Sequence, residues 1–216
     1  TLPVPATQID DLYPLSPMQS GMLFHTLYAP HGSAYVMQLC VDIHGLDVAR
    51  FKAAWQAVTT RHDILRTGFV QHGDAWLQWV AKSIELPFAL HDLRDQPETA
   101  QAVAMAALEH AERDRGFDLA RAPLHRLTLV QRGDARYRMI WTHHHALLDG
   151  WSVSQLMGEV LRHYARQTLP ANRGRYRDYV RWLQQRDTLV SETFWRAQLR
   201  AYDAPSRRVE ALVRDV

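Results

Sequence analysis

The chain has 216 residues, 47% of them hydrophobic and 22% charged, with a net charge of +2 when the histidines are neutral. That length supports one domain with a real core, and the charge is too small for a nucleic-acid electrostatic footprint, which would also need basic blocks with interleaved aromatics. No apolar run approaches the roughly 20 residues that span a bilayer, and the opening TLPVPATQIDDLYP lacks the basic-then-apolar order of a signal peptide, so no membrane partner is expected. The single cysteine, Cys40, has no internal partner for a disulfide, which fits a cytoplasmic location.

Ser16-Pro17-Met18-Gln19 is a capping box with proline at the first helical position, and it predicts a helix running to about Leu27. Residues 34–43 alternate as a strand, with Tyr35, Met37, Leu39, Val41 and Ile43 on one side. Asp47 predicts the cap of a helix carrying Val48, Phe51, Trp55 and Val58 at helical spacing. Ile64–Val70 and Ala75–Val80 read as a hairpin around His72-Gly73-Asp74, and the Ala- and Glu-rich stretch 97–114 reads as a helix. Leu124–Val130 and Arg136–His143 form a second strand pair, and Ser152–Gln155 predicts the cap of a helix with Val153, Leu156, Met157, Val160, Leu161 and Tyr164 on one face. The loop Thr168–Gly174 leads to two shorter helices at about 176–186 and 189–201, and Asp203–Val216 is charged and weakly patterned. Strands and helices mix without strict alternation, so the expected fold class is α/β: a sandwich with a mixed β-sheet and helices packed on it.

The chemistry concentrates in Met139–Ser152, where His143-His144-His145 end a strand, an apolar Ala146-Leu147-Leu148 follows, and Asp149-Gly150 lead into a helix. Histidine exchanges protons near neutral pH, and adjacent strand residues point to opposite faces, so at most two of the three share a side. Four readings compete. A packed or surface histidine cluster is the plain one. A metal site is disfavoured because consecutive histidines diverge and no second ligand cluster has suitable spacing. A serine or cysteine hydrolase lacks G-x-S-x-G, and Cys40 lies mid-strand. Histidine-dependent acyl transfer without a protein nucleophile needs a base, a group that fixes the loop and an oxyanion donor; His145, Asp149 and the Gly150 amide are the candidates.

HHALLDG, residues 144–150, resembles the HHxxxDG pattern of nonribosomal peptide synthetase condensation domains and their chloramphenicol-acetyltransferase-like relatives. YPLSPMQSGMLFH (13–25), RHDILRTGF (61–69), RGFDLARAPLHRLTL (115–129) and YRDYVRW (176–182) resemble further segments of that family in its order, so the resemblance covers essentially the whole chain. It implies a chloramphenicol-acetyltransferase-like two-layer sandwich that is one lobe of a two-lobe domain, with 1–202 as the N-terminal lobe and 203–216 starting the connection to a C-terminal lobe. It implies peptide bond formation between a carrier-bound acyl or peptidyl thioester and a carrier-bound aminoacyl acceptor; the alternatives are a non-catalytic, truncated binding or structural lobe and a stand-alone acyl-coenzyme-A-dependent acyltransferase of the same superfamily. No directly bound cofactor and no metal are expected. The substrates arrive on the 4′-phosphopantetheine of upstream and downstream carrier domains, with an adenylation domain as neighbour. The resemblance places His145 at the reacting centre, makes His144 structural, and has Gly150 let the backbone come close. Asp149 is expected to be buried, since it follows an apolar run, and to pair with Arg61, or failing that with Arg66. Met18, Gln19 and Trp151 are candidate channel-lining residues; Trp151, with Tyr176, Tyr179 and Trp182, is also read as packing. The forms SPMQSGMLFH and LLDGWS look closer to domains that accept a D-configured donor.

Overall fold

A computed structural model describes residues 2–28, 35–171 and 174–200. The expectations for 203–216, and parts of those for 34–43 and for the 168–174 loop, lie outside the described residues. The chain divides into a large unit, residues 1–180, and a smaller one, 181–216.

In the large unit, β1 (Ile9–Pro14) leads into α1 (Pro17–Tyr28), followed by β2 (Val36–His44) and α2 (Val48–Arg61). Then come β3 (Thr67–His72), β4 (Ala75–Ala81), β5 (Phe88–Asp92) and α3 (Glu98–Asp114). The antiparallel pair β6 (His125–Gly133) and β7 (Arg136–His144) is followed by α4 (Gly150–Tyr164) and by α5 (Tyr176–Gln184), which runs across the boundary. The smaller unit contains α6 (Thr188–Leu199).

The strands form two sheets. One is antiparallel, in the order β1-β4-β3; the other is mixed, in the order β2-β7-β6-β5, with β5 parallel to β6. The α/β sandwich expected from the sequence is therefore present, with its strands divided between a mixed and an antiparallel sheet. β1 and β5, which the sequence pattern does not announce, complete one edge of each.

Alternation along the mixed sheet separates two packing faces. Leu127, Leu129, Met139 and Trp141 join Phe51, Trp55 and Val58 of α2 and Leu156 and Val160 of α4 in the main core. Val130 and Ile140 pack with Cys40 and with Ala104, Met105 and Leu108 of α3. Trp55 and Trp141 meet at 4.9 Å between ring centroids, and neither is exposed to solvent. Two large rings in contact fix the distance between α2 and β7, the strand that carries the histidines.

Local chemistry sets the helix starts. Ser16 Oγ accepts from the Gln19 amide (3.2 Å) while Gln19 Oε1 accepts from the Ser16 amide (3.0 Å), the reciprocal cap expected from the sequence. Asp47 caps α2 by accepting from the Arg50 amide at 3.0 Å. The cap of α4 differs from the expectation: Asp149, not Ser152, is the N-cap, and Ser152 supplies the amide it binds. Residues 64–66, expected in a strand, lie in a short 3-10 turn, Asp63–Arg66, that turns Leu65 into the core.

Candidate active site

β7 is an inner strand, hydrogen-bonded to β2 on one side and β6 on the other. Its last two residues, His143 and His144, are 3% and 1% exposed. His143 packs against Trp141, two residues back on the same face, with the rings tilted by 34° at 4.5 Å between centroids. His144 points the other way, where Nε2 meets Thr26 Oγ1 of α1 at 3.2 Å. Its Nδ1 accepts from the Ala146 amide at 3.1 Å, so the ring proton lies on Nε2 and is donated to Thr26. Thr26 in turn donates to the Met22 carbonyl at 2.8 Å.

Burial keeps these rings neutral. Desolvation, aided by the neighbouring imidazoles, lowers His143 and His144 to about 4. His125, paired with His143 across the sheet, is fully buried and lowered by desolvation to about 3.

His145 lies one residue beyond the strand and is partly buried, with some of its surface open to solvent. Its amide donates to the Tyr35 carbonyl at 2.8 Å, which extends the β2–β7 ladder by one step. Nδ1 lies 2.7 Å from the Leu148 carbonyl. A carbonyl only accepts, so Nδ1 carries the proton and Nε2 carries the lone pair. Nε2 makes no hydrogen bond among the described residues. An imidazole held in this tautomer, with its basic nitrogen free, can accept a proton from a nucleophile or orient it.

Ala146, Leu147 and Leu148 are buried in the main core, which anchors the loop. Asp149 overturns the expectation of a buried ion pair. It is exposed, and Oδ1 accepts from the Ser152 amide at 2.8 Å; the hydrogen bonds from Ser152 hold its carboxyl below the usual carboxylate range. The apolar run ends where α4 begins, and the cap position turns the side chain outward over the first turn. Arg61 is committed elsewhere, to Glu159 of α4 (Nε–Oε2, 3.2 Å) and to the Pro170 carbonyl. Arg66 is buried and bound to Asp63 (2.7 Å) and the Ala81 carbonyl. Both arginines tie elements together, and neither reaches the histidine loop.

Gly150 opens α4, and its exposed amide has no hydrogen-bond partner among the described residues. Met18 and Trp151 are 70% and 81% exposed, so Trp151 does no packing here. Gln19, expected to line a channel, is 2% exposed and fully engaged in hydrogen bonds. Tyr176 donates from its hydroxyl to Ser16 Oγ at 3.1 Å. Sequence reasoning missed the hold on the loop by Thr26, the Tyr35 carbonyl and Gln19, whose amide donates to the Ala146 carbonyl; the polar Ser16 and Gln19 of the α1 capping box were the one local hint. Among the described residues no group of three His, Cys, Asp or Glu could hold a metal ion, and no helix is long and apolar enough to cross a membrane.

The condensation-domain profile matches residues 9–209. The chain belongs to the condensation-domain family. One of the linear gramicidin synthase proteins of Brevibacillus parabrevis is 40% identical over 205 residues, 92% of this chain and 4% of that protein. Bacitracin synthase 3 of Bacillus licheniformis is 36% identical over 206 residues, 92% of this chain and 3% of that protein. Among solved structures, the starter condensation domain of the rhizomide synthetase superposes with a TM-score of 0.79 at 22% identity, over 92% of this chain and 50% of that one. The cyclization-docking bidomain of EpoB from Sorangium cellulosum gives 0.78 at 23% identity, over 94% and 42%. These likenesses show the fold, the chloramphenicol-acetyltransferase-like α/β sandwich. The chain spans a few per cent of the curated relatives and half or less of these structures.

Proposed function

We propose that this chain is the N-terminal lobe of a nonribosomal peptide synthetase condensation domain and supplies its histidine loop. The observation that carries the reading is the His145 Nδ1–H to Leu148 carbonyl contact of 2.7 Å, which leaves the Nε2 lone pair without a partner among the described residues at a position partly open to solvent. The donor is an acyl or peptidyl thioester, the acceptor an aminoacyl thioester, each on the phosphopantetheine arm of a carrier domain, with an adenylation domain adjoining. The acceptor amine attacks the donor carbonyl; the C–N bond forms, the C–S bond breaks, and the proton leaves with the thiol. Nε2 of His145 orients the amine and takes its proton, and the Gly150 amide at the start of α4 is placed to donate to the developing oxyanion. A thioester is already activated, so holding the two arms in line supplies most of the rate, an effect that reaches roughly 7–11 kcal/mol in ideal systems.

A second lobe closes the tunnel in this reading, and the exposed Met18, Phe24, Tyr28 and Trp151 are the apolar surface left for it or for the substrate arms. A D-configured donor is the finer assignment, resting on the SPMQSGMLFH and LLDGWS forms. The test is a carrier-protein condensation assay read by mass spectrometry, on the 216-residue chain, on the native polypeptide with its downstream lobe, and on His145→Ala. Turnover is expected only with both lobes and an intact His145. Robust turnover by the 216-residue chain, or by the histidine variant, refutes the assignment.

A further inference from the structure

Gln19 and Gln78 form a face-to-face pair of buried amides. Gln78 lies on β4 with no exposure, and Gln19 lies in the first turn of α1. Gln78 Nε2 donates to Gln19 Oε1 at 3.0 Å, and Gln19 Nε2 donates back to Gln78 Oε1 at 3.2 Å. Backbone groups fix which end is which. The Ser16 amide donates to Gln19 Oε1 (3.0 Å), and the Pro14 carbonyl accepts from Gln78 Nε2 (2.9 Å). One donor of Gln19 remains, and it reaches the Ala146 carbonyl at 3.2 Å. All four hydrogen-bonding valences of the Gln19 amide are thereby used.

Ala146 follows His145 directly, and both its backbone groups are held: its amide by His144 Nδ1, its carbonyl by Gln19. The Leu148 carbonyl that fixes the His145 tautomer is two residues further along the same turn. We propose that Gln19 is a positioning residue for His145: the Gln19–Gln78 pair ties the antiparallel sheet and α1 to the Ala146 carbonyl and so holds the Leu148 carbonyl against His145 Nδ1. The role rests on His145 acting as assigned above, but the geometry it controls does not. Without the clamp, the 146–148 turn relaxes, Nδ1 loses its fixed acceptor, and the imidazole samples both tautomers. A displacement of about 1 Å at a reacting group costs on the order of a hundredfold in rate.

The experiment uses Gln19→Met, which keeps the volume and removes every hydrogen bond of the amide. Ser16→Ala is the control, since it weakens the cap of α1 and leaves the Gln19–Ala146 bond. Three quantities are measured on the native polypeptide: kcat and KM for condensation, the melting temperature, and the imidazole nitrogen shifts of isotope-labelled histidine. Gln19→Met is expected to lower kcat by about tenfold to a hundredfold with KM within about twofold, and to move the His145 nitrogen shifts from the Nδ1–H pattern to a tautomer average. Ser16→Ala is expected to lower the melting temperature while keeping the wild-type kcat and nitrogen pattern. A Gln19→Met protein with the wild-type nitrogen pattern overturns the proposal, whatever its melting temperature. If His145→Ala retains turnover, the assigned chemistry fails, and the nitrogen shifts still decide the clamp.

Discussion

The end of β7 and the loop just beyond it carry the same side chain in opposite settings. His143 and His144 lie inside, packed on a ring or hydrogen-bonded, with pKa values driven down to about 4, while His145, one residue on, is partly open to solvent with its tautomer set by a backbone carbonyl. The difference teaches that the motif divides its labour. The strand residues are neutral structural groups, and only the loop residue presents a free basic nitrogen.

The largest effect that tests this division is on activity. His145→Ala in the native polypeptide is expected to lower kcat by about 10²–10⁴-fold with little change in melting temperature, read by the condensation assay and by calorimetry. His144→Ala is expected to do the reverse in character. It removes the Thr26 and Ala146 contacts from a nearly inaccessible site and costs about 2–3 kcal/mol of stability by denaturant titration. If the two variants show the same split between rate and stability, the comparison fails.

A pH effect follows from the buried rings. Unfolded histidines titrate near 6.5, whereas His143 and His144 titrate near 4 and His125 near 3 in the folded protein. Between these values the unfolded chain binds more protons, so folding stability is expected to fall as pH drops through about 6.5 toward 4 and to level off about one unit above 6.5, where the unfolded histidines are also neutral. Denaturant midpoints across that range check the sign, and His144→Asn should make the slope shallower.

The smallest effect is at Asp149. A buried ion pair with Arg61 would have cost several kcal/mol to break, but an exposed N-cap costs about 1 kcal/mol. Asp149→Ala is therefore expected to lower stability by about that amount, and Asp149→Ser to restore most of it, by the same titration. A loss comparable to that of His144→Ala would show that the carboxylate does more than cap α4.

Much of this is legible in the sequence because it is local. The capping boxes, the Asp47 cap, the helical spacing of Phe51, Trp55 and Val58, and the histidine run are each encoded within a few residues. Features that need distant partners are not. β1 is a six-residue strand, IDDLYP, whose two adjacent aspartates and terminal proline break the alternation, and it is held by pairing with β4; β5 is a five-residue strand pairing in parallel with β6. The apolar neighbours of Asp149 suggest its burial, but they point inward from a turn that ends there. Gln19 is readable as a cap, yet its grip on Ala146 spans 127 positions of sequence.

The placement of His145 at the end of an inner strand also has a mechanical side. A side chain at the tip of an edge strand would move with every fraying event of that edge. The amides of β7 are bonded on both flanks, and the Tyr35 carbonyl secures one further peptide beyond the strand. The base of the loop thus takes its stiffness from the whole mixed sheet, and its amide protons should exchange with solvent about as slowly as those of the core strands, although the histidine ring above them meets solvent.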